Sequence, residues 1–380
     1  MINNISCSNF IIILLFFSTL SCQWDATSNN NWGVVPISDL HVELTLWLET
    51  AGEGDIHFGH IGNMRTDNEG NFYISDLISQ SVKKLDRNGR FVQEIGKRGR
   101  GIGELMSIKS FNIVAGTNGF KNVIVTDNVS RQINFYSLEG SLVSTHRMPN
   151  GTEFPKGSFQ TYIDNNTHNH LFLYKLHERA PGENCLFHRF KFDFSKKEAC
   201  FGDFRELKYH RNDTFHYLSQ VHPGHMVVDG DSTIYYTPRF YDGLIYKYTK
   251  ESLEGEWKIS GIISGLVYHT KPFAENKEPE DYHVSYKGQR FYGKLLNQSV
   301  GFFKTSDGLI HFTRITVPGG VTWFGAEKYN KEGEFQEYLR IRFSEFENDY
   351  KGLDVLHLDK DDYYYLVNNR KLPNIYRFRL

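Results

Sequence analysis

Short segments of alternating hydrophobic and polar residues recur along most of the chain, and turns containing Asp and Gly separate them. The first example spans residues 64–96, where four strand-like segments are joined by the Asp67–Gly70 turn, a polar loop and the Asp86–Gly89 turn. Asp and Gly readily adopt the backbone conformations of tight β-hairpins. The segment therefore predicts one four-stranded antiparallel sheet.

The same order of strands and turns recurs along the rest of the chain with decreasing regularity. The position that follows the second strand of each copy falls near residues 76, 127, 174, 237, 313 and 367. Repeated four-stranded units are typical of β-propellers, in which each unit forms one blade around a central channel. The pattern predicts an all-β, six-bladed β-propeller with four-stranded antiparallel blades.

The last copy has only three strand-like segments, and a candidate for its fourth strand lies near the N-terminus. Residues 41–49 carry hydrophobic side chains at every second position: Val42, Leu44, Leu46 and Leu48. This alternation is typical of a half-buried strand, and such a strand left unpaired is prone to aggregation. We expect it to close the last blade beside Ile375–Leu380, so that residues 39–380 form the propeller.

Residues 264–299 interrupt the regular spacing between the fourth and fifth copies. They form either an inserted loop or a degenerate seventh blade. The segment Lys271–Asp281 is polar and lacks the alternation of a strand, which favours the insertion.

Composition narrows the possible partners. The 380 residues include 43 Lys and Arg against 45 Asp and Glu, a net charge of −2. A nucleic-acid-binding protein usually has an excess of basic residues, so no nucleic-acid partner is expected. Aromatic residues make up 15% of the chain, and there are 33 glycines, as expected for short strands and tight turns.

The N-terminal segment predicts export. Phe10–Phe17 is an apolar run too short to cross a bilayer as a helix, but long enough for the core of a signal peptide over residues 1–21. The small residue before Cys22 resembles a relaxed bacterial lipobox. In that interpretation Cys22 carries the lipid that anchors the protein to a membrane, and residues 22–38 form a flexible tether. A cleaved signal with an incidental cysteine and an uncleaved anchor are the alternatives.

Two cysteines outside the signal segment, Cys185 and Cys200, could form a disulfide in an oxidising compartment. However, a hairpin turn at Asp193–Lys197 would place Cys200 opposite residue 191 rather than opposite Cys185. The predicted register therefore favours two free thiols.

Two loop sequences resemble a known family. Gly96–Leu105 resembles the glycine-rich link of NHL-type repeats, and Asp127–Ile133 resembles the loop that leads into the third strand of the same repeats. Together with Cys22, the chain resembles the six-bladed β-propeller lipoproteins common in Bacteroidota. The resemblance implies a propeller in the cell envelope, on the outer membrane, facing either the periplasm or the cell surface. Relatives include lyases, lactonases and binding modules, so the fold alone implies no activity.

The longest predicted loops lie on one face of the propeller, at 150–157, 175–184, 203–223 and 265–296. Binding sites usually occupy such elaborated loops on a rigid scaffold. Five loops after second strands carry arginines that could ring the channel mouth and bind carboxylate, phosphate or sulfate groups: Arg131, Arg179, Arg239, Arg314 and Arg370. Structural pairing with nearby acidic residues, such as Asp127 for Arg131, is the alternative. Tyr241 could stack on a sugar or peptide, or pack within a blade.

Metal binding is a weaker prediction. His222 and His225 belong to the main histidine concentration near this face, and zinc needs three or four ligands. Side chains such as Asp76 and Asp127 could hold calcium, but Asp also caps ordinary turns. No cofactor is therefore expected, with zinc or calcium as the alternative.

The combined prediction is a monomeric, lipid-anchored envelope protein. Its loop-rich face would bind an unknown envelope protein, peptide or glycan rather than catalyse a reaction. The alternative is a metal-assisted lyase or lactonase-type enzyme.

The lipid anchor can be tested by metabolic labelling with palmitate. We expect the wild-type chain to be labelled and the Cys22→Ser variant to lose the label, because the thiol of Cys22 is the predicted attachment atom. Equal labelling of the two proteins, or no labelling of either, would contradict the anchor.

Overall fold

A computed structural model shows that the described part of the chain consists almost entirely of β-strands. It describes residues 36–380 except 50–55, 116–120, 128, 148–159, 164–169, 174–184, 192–195, 204–205, 209–223, 231, 253–254, 267–272, 277–281, 287–288, 318–319, 347–348 and 371–372.

Six antiparallel sheets form the blades, and two further strands precede the first of them. The preceding strands are β1 (Ile37–Val42) and β2 (Thr45–Glu49). Blade 1 contains β3 (Ile61–Thr66), β4 (Phe72–Asp76), β5 (Ser81–Leu85) and β6 (Phe91–Ile95). Blade 2 contains β7 (Ile108–Ala115), β8 (Lys121–Asp127), β9 (Gln132–Ser137) and β10 (Leu142–Arg147). Blade 3 contains β11 (Gln160–Ile163), β12 (His170–Leu173), β13 (Cys185–Phe190) and β14 (Lys197–Asp203).

The second half of the ring follows the same plan. Blade 4 contains β15 (His225–Asp229), β16 (Thr233–Thr237), β17 (Leu244–Thr249) and β18 (Lys258–Ser264). A small inserted sheet contains β19 (Phe273–Asn276), β20 (Tyr282–Tyr286) and β21 (Gln289–Leu295). Blades 5 and 6 contain β22 (Asn297–Lys304), β23 (Gly308–Thr316), β24 (Thr322–Asn330) and β25 (Phe335–Phe343), then β26 (Leu353–Leu358), β27 (Tyr364–Asn368) and β28 (Asn374–Phe378). A short 3-10 helix, Ser344–Phe346, lies between them.

Contacts between the first strands of the blades show that the ring is closed. The strands touch in the cyclic order β3, β7, β11, β15, β22, β26 and back to β3. The first strand of every blade therefore borders the central channel, and the six-bladed propeller predicted from the repeats is confirmed.

The inserted sheet lies outside this cycle. Its strands pair with each other in the order β19, β21, β20, while the contacts of the ring pass directly from β15 to β22. Residues 265–296, between β18 and β22, are therefore an insertion, as favoured for the segment 264–299, and not a seventh blade. The expectation that this segment lacks strands was wrong, since Phe273–Asn276 pairs with Tyr292–Leu295.

The start of the chain closes the ring through two strands rather than one. β2 pairs antiparallel with β28 and completes blade 6, as predicted. β1 instead runs parallel to β25 as a fifth strand of blade 5. It begins within the stretch predicted as tether, and Val42 belongs to it rather than to the closing strand.

A bulge in β2 changes which side chains face the core. The pairing with β28 shifts register between Leu46 and Leu48, and Leu46 is 47% exposed, contrary to the predicted alternation. The Trp47 ring lies 4.4 Å from the Phe72 ring of blade 1 and 5.3 Å from the Tyr365 ring of blade 6. Trp47 therefore joins the last blade to the first.

A disulfide joins Cys185 and Cys200, contrary to the expectation of free thiols. Cys200 pairs with His188 across β13 and β14, not with residue 191. Cys185 pairs with Asp203, so the register does not set the two cysteines opposite each other. Their Cα atoms nevertheless lie 5.6 Å apart, a separation that suits a disulfide.

Apolar side chains pack mainly between neighbouring blades. One cluster joins blades 5 and 6 through residues that include Phe312, Tyr364 and Phe378, and another joins blades 1 and 2 through Val82 and Phe111. The core is thus distributed around the ring. No helix among the described residues is long and apolar enough to cross a membrane.

The contribution of Trp47 to ring closure can be measured by chemical denaturation. We expect Trp47→Ala to lower the free energy of unfolding by about 2 kcal/mol, because it removes aromatic surface packed between two blades. Leu46→Ala is the matched control on the exposed side of the same strand and should change it by less than about 0.5 kcal/mol. Equal effects of the two substitutions would contradict the bulged register.

Candidate binding channel

A cavity of about 450 Å³ lies in the central channel. Its walls come from the first strands of blades 1, 4, 5 and 6 and from residues such as Arg239 and Asn369, which follow second strands. The cavity therefore lies towards the face that carries the links between blades, the face predicted to bind.

The wall of the cavity is mixed: apolar side chains such as Met226, Phe302 and Phe303 alternate with polar ones. Eight side chains in it carry nitrogen or oxygen atoms: His60, Asn63, Arg65, His225, Arg239, Asp354, His357 and Asn369. Asp354 is the only acidic residue among those that line the cavity in the described part of the chain.

Arg65 lies on β3 and extends towards the channel because its neighbour Met64 faces the core of the blade. Its Nη1 atom donates hydrogen bonds to Asn63 Oδ1 at 2.8 Å and to the carbonyl of Met64 at 2.7 Å. Burial lowers the pKa of the guanidinium to about 10, so it remains charged at neutral pH. Arg65 forms no ion pair with another described residue.

Arg239 is held by an acidic residue from across the channel. Its Nη2 atom donates to Asp354 Oδ1 at 2.7 Å, which joins the loop of blade 4 to the first strand of blade 6. The positive charge of Arg239 and the negative charge of Asp354 therefore offset each other. The excess positive charge of the cavity therefore comes from Arg65.

His357 adds a neutral polar group. Its Nε2 atom lies 3.0 Å from the Thr66 hydroxyl. Burial, with a contribution from the positive charge of Arg65, lowers the pKa of His357 to about 3, so the ring is neutral at neutral pH.

Behind the cavity wall, a chain of buried polar side chains runs from blade 4 into blade 5. His225 Nδ1 lies 2.8 Å from the Ser299 hydroxyl, which lies 2.9 Å from His311 Nε2. His311 Nδ1 lies 2.7 Å from Glu327 Oε2. Ser299, His311 and Glu327 are fully buried, whereas His225 reaches the cavity.

The predicted arginines do not form a ring in the structure. Arg239 lines the cavity, but Arg314 donates to the carbonyl of Tyr350 at 3.0 Å and Arg370 pairs with Asp349. Arg131 is exposed on its loop, with a φ of 54°. Arg179 lies outside the described residues. Arg314 and Arg370 thus bind the segment that enters blade 6, which fits the alternative of structural pairing.

The other predicted site residues are also placed differently. Tyr241 is fully buried and cannot stack on a ligand, because its hydroxyl donates to Glu327 Oε2 at 2.8 Å. His222 and Cys22 lie outside the described residues. Asp127 accepts hydrogen bonds from the backbone of Ser107 and Val129, as a turn cap does. Within the described residues, no group of three or more His, Cys, Asp or Glu side chains could hold a metal ion.

Sequence reasoning missed Arg65 and His357, because it searched the loops rather than the strands. A usable signal was present in β3, where Asn63 and Arg65 flank the core residue Met64. Successive side chains of a strand point to opposite faces, so Asn63 and Arg65 lie on the face opposite the one that Met64 uses to enter the core.

Comparisons with known proteins agree with the architecture. A crystal structure of a putative exported protein from Bacteroides fragilis is 12% identical, covers 90% of this chain and 99% of its own, and gives a TM-score of 0.54. The structure of a member of the DUF4221 family from Bacteroides vulgatus has 10% sequence identity and a TM-score of 0.50; the match covers 89% of this chain and 98% of the other. The structure of an auxiliary nutrient binding protein from Bacteroides ovatus has 12% sequence identity and a TM-score of 0.49; the match covers 89% of this chain and 76% of the other.

At these identities, the likeness to the first two structures shows the fold alone. None of the curated proteins matches the chain. Residues 40–260 match the sequence model of the DUF5128 family, described as a 6-bladed beta-propeller. The chain therefore belongs to the DUF5128 family of six-bladed β-propellers.

Proposed function

We propose that the protein is an exported, lipid-anchored binding protein of the bacterial cell envelope, and that its channel binds a small anionic ligand. The observation that carries this proposal is the charged guanidinium of Arg65 in the cavity wall, without an acidic partner among the described residues. The signal-like segment before Cys22 and the similarity to a putative exported protein support export.

An unpaired buried charge is costly unless a counter-charge offsets the lost hydration. The carbonyl of Met64 and the amide of Asn63 accept hydrogen bonds from Arg65 but carry no net charge. A carboxylate, phosphate or sulfate in the cavity would supply the counter-charge, and planar guanidinium groups suit such anions.

The remaining wall suits a ligand that also carries hydroxyl groups. His357 is neutral and Asn63 is an amide, so both can exchange hydrogen bonds without adding charge. Arg239 is fixed by Asp354 and presents a rigid donor group. A cavity of about 450 Å³ has the size of typical small-molecule sites. An acidic monosaccharide is the ligand class that fits these features best.

The proposal can be tested by calorimetric titration with matched pairs of sugars. We expect galacturonate, glucose 6-phosphate or galactose 6-sulfate to bind at least about tenfold more tightly than the neutral parent sugar, because hydrogen bonds to a charged group contribute about 1.5–3 kcal/mol. Arg65→Met should remove this preference.

Arg87→Met is the matched control, since Arg87 is an exposed arginine on a hairpin turn at the opposite face. It should leave the affinities unchanged. Binding of none of the three anionic sugars, or equal binding of the acidic and neutral sugars by the wild-type protein, would contradict an anion site in the channel.

A further inference from the structure

The buried chain His225–Ser299–His311–Glu327 connects the cavity to a carboxylate in the core of the protein. Three successive separations of 2.8, 2.9 and 2.7 Å make it a continuous hydrogen-bonded chain. It begins on β15 of blade 4 and ends on β24 of blade 5. Its outer end, His225, lines the same cavity as Arg65 and Arg239.

Glu327 sits among donors that stabilise its charged form. Oε2 accepts hydrogen bonds from the hydroxyls of Tyr241 and Tyr329, each at 2.8 Å, and Oε1 accepts one from the backbone N–H of Leu266. Burial and the Glu327 carboxylate raise the pKa of both tyrosines well above the usual value, so they stay protonated donors. A side chain at Gly265 would collide with the Tyr241 hydroxyl and Glu327.

Two proton arrangements satisfy every hydrogen bond in the chain. In the first, His225 Nδ1–H donates to Ser299, Ser299 donates to His311 Nε2, and His311 Nδ1–H donates to Glu327. In the second, His311 is an imidazolium that donates to both Ser299 and Glu327, and Ser299 donates to His225 Nδ1. The two arrangements differ by one proton, which enters at His225 Nε2.

His225 presents the free end of this chain. Its Nδ1 atom is engaged by Ser299, and none of the described residues hydrogen-bonds to its Nε2 atom. Burial, and to a smaller extent the positive charge of Arg239 and the His311 ring, lower the pKa of His225 well below its usual value. His225 is neutral in both arrangements, as this lowered pKa requires, and in the first of them its Nε2 atom carries a lone pair that faces the cavity. Arg239 in turn is paired with Asp354.

We propose that these four residues form a proton relay that opens on the channel at His225, and that the channel is a general-base site for hydrolysis of carboxylic esters that carry an anionic group. The preference for an anionic substrate rests on the proposed function of Arg65; the relay itself does not.

The reaction uses water as the nucleophile. His225 Nε2 removes a proton from a water molecule as its oxygen bonds to the ester carbonyl carbon, and the proton on Nδ1 shifts through Ser299 so that His311 becomes the imidazolium beside Glu327. The tetrahedral intermediate then expels the alcohol oxygen and the C–O bond breaks. The proton returns through the relay to the leaving oxygen, which yields a carboxylic acid and an alcohol. Ser299 is too deeply buried to act as the nucleophile.

A structural link between two blades would not need these residue types. Apolar side chains of similar volume join blades equally well, and buried charged groups rarely add stability over such packing. Groups that can pass a proton, with one end at a carboxylate and the other at a cavity, have the arrangement of a general base and its supporting groups.

The relay can be tested by nitrogen-15 NMR of histidine-labelled protein as a function of pH. We expect His225 to hold its proton on Nδ1 at neutral pH and to switch to Nε2 on acidification while staying neutral, as His311 becomes the imidazolium. Glu327→Gln should shift the midpoint of this tautomer switch to lower pH, at a proton concentration at least about tenfold higher than in the wild-type protein. His41→Asn, on an exposed strand, is the control and should leave it unchanged.

Ser299→Ala provides a second variant if the glutamate substitution prevents folding. It removes one hydroxyl and should make the two rings titrate independently. Protonation of His225 to an imidazolium while His311 stays neutral, or a switch that is unchanged in both variants, would overturn the relay.

Ester hydrolysis tests the activity with 4-acetoxybenzoate and its neutral methyl ester. We expect the wild-type protein to hydrolyse both, and His225→Asn to lower kcat/KM about 100-fold on both, the range of general-base contributions. The carboxylate substrate should be preferred at least tenfold, and Arg65→Met should remove that preference, whereas the exposed control Arg87→Met should leave kcat/KM for both esters unchanged.

The outcomes separate the two proposals. Hydrolysis that depends on His225 but shows no preference for the carboxylate ester would contradict the anion site at Arg65 and would support the general base at His225. Equal rates for His225→Asn and the wild-type protein on both esters would overturn the general base, whatever Arg65 does in the sugar titrations.

Discussion

Closure of the ring by the start of the chain is the constraint on which the rest of the structure depends. β2 completes blade 6, and Trp47 on it packs against blade 1, while β1 extends blade 5. Each blade packs its apolar side chains mainly against its neighbours, so a gap in the ring would expose two such faces. The closed ring fixes the first strands around one axis, and the cavity exists because those strands are fixed.

The first strands supply side chains both to the core and to the channel. On β3, Met64 packs in the blade core and Arg65 reaches the cavity. On β15, His225 reaches the cavity and also contacts Ser299 of the next blade. The junction between blades 4 and 5 is where this pattern admits a buried chain of polar groups instead of apolar packing.

The sequence predicted the repeats, the six blades and the closing strand because these depend on local turn chemistry and on period-two alternation. It could not predict the bulge at Leu46, because the bulge is a local shift of strand register. Nor could it predict the disulfide, because Cys185 and Cys200 are not opposite each other in the sheet. The contact of Ser299 with His225 and His311 joins residues from three strands in two blades, and only the closed ring brings them together. Arg65 could have been predicted from the sequence, because Asn63 and Arg65 flank the apolar Met64 on the first strand of blade 1.

Both proposed roles of the channel for anionic ligands depend on an anion site lined by Arg65. The most direct measurement is anomalous X-ray diffraction from crystals of the protein soaked in selenate, because selenium locates the anion independently of any assay. We expect an anomalous peak in the central cavity within hydrogen-bond distance of the Arg65 guanidinium. Selenate bound on outer surfaces while the cavity stays free of it would contradict an anion site at Arg65.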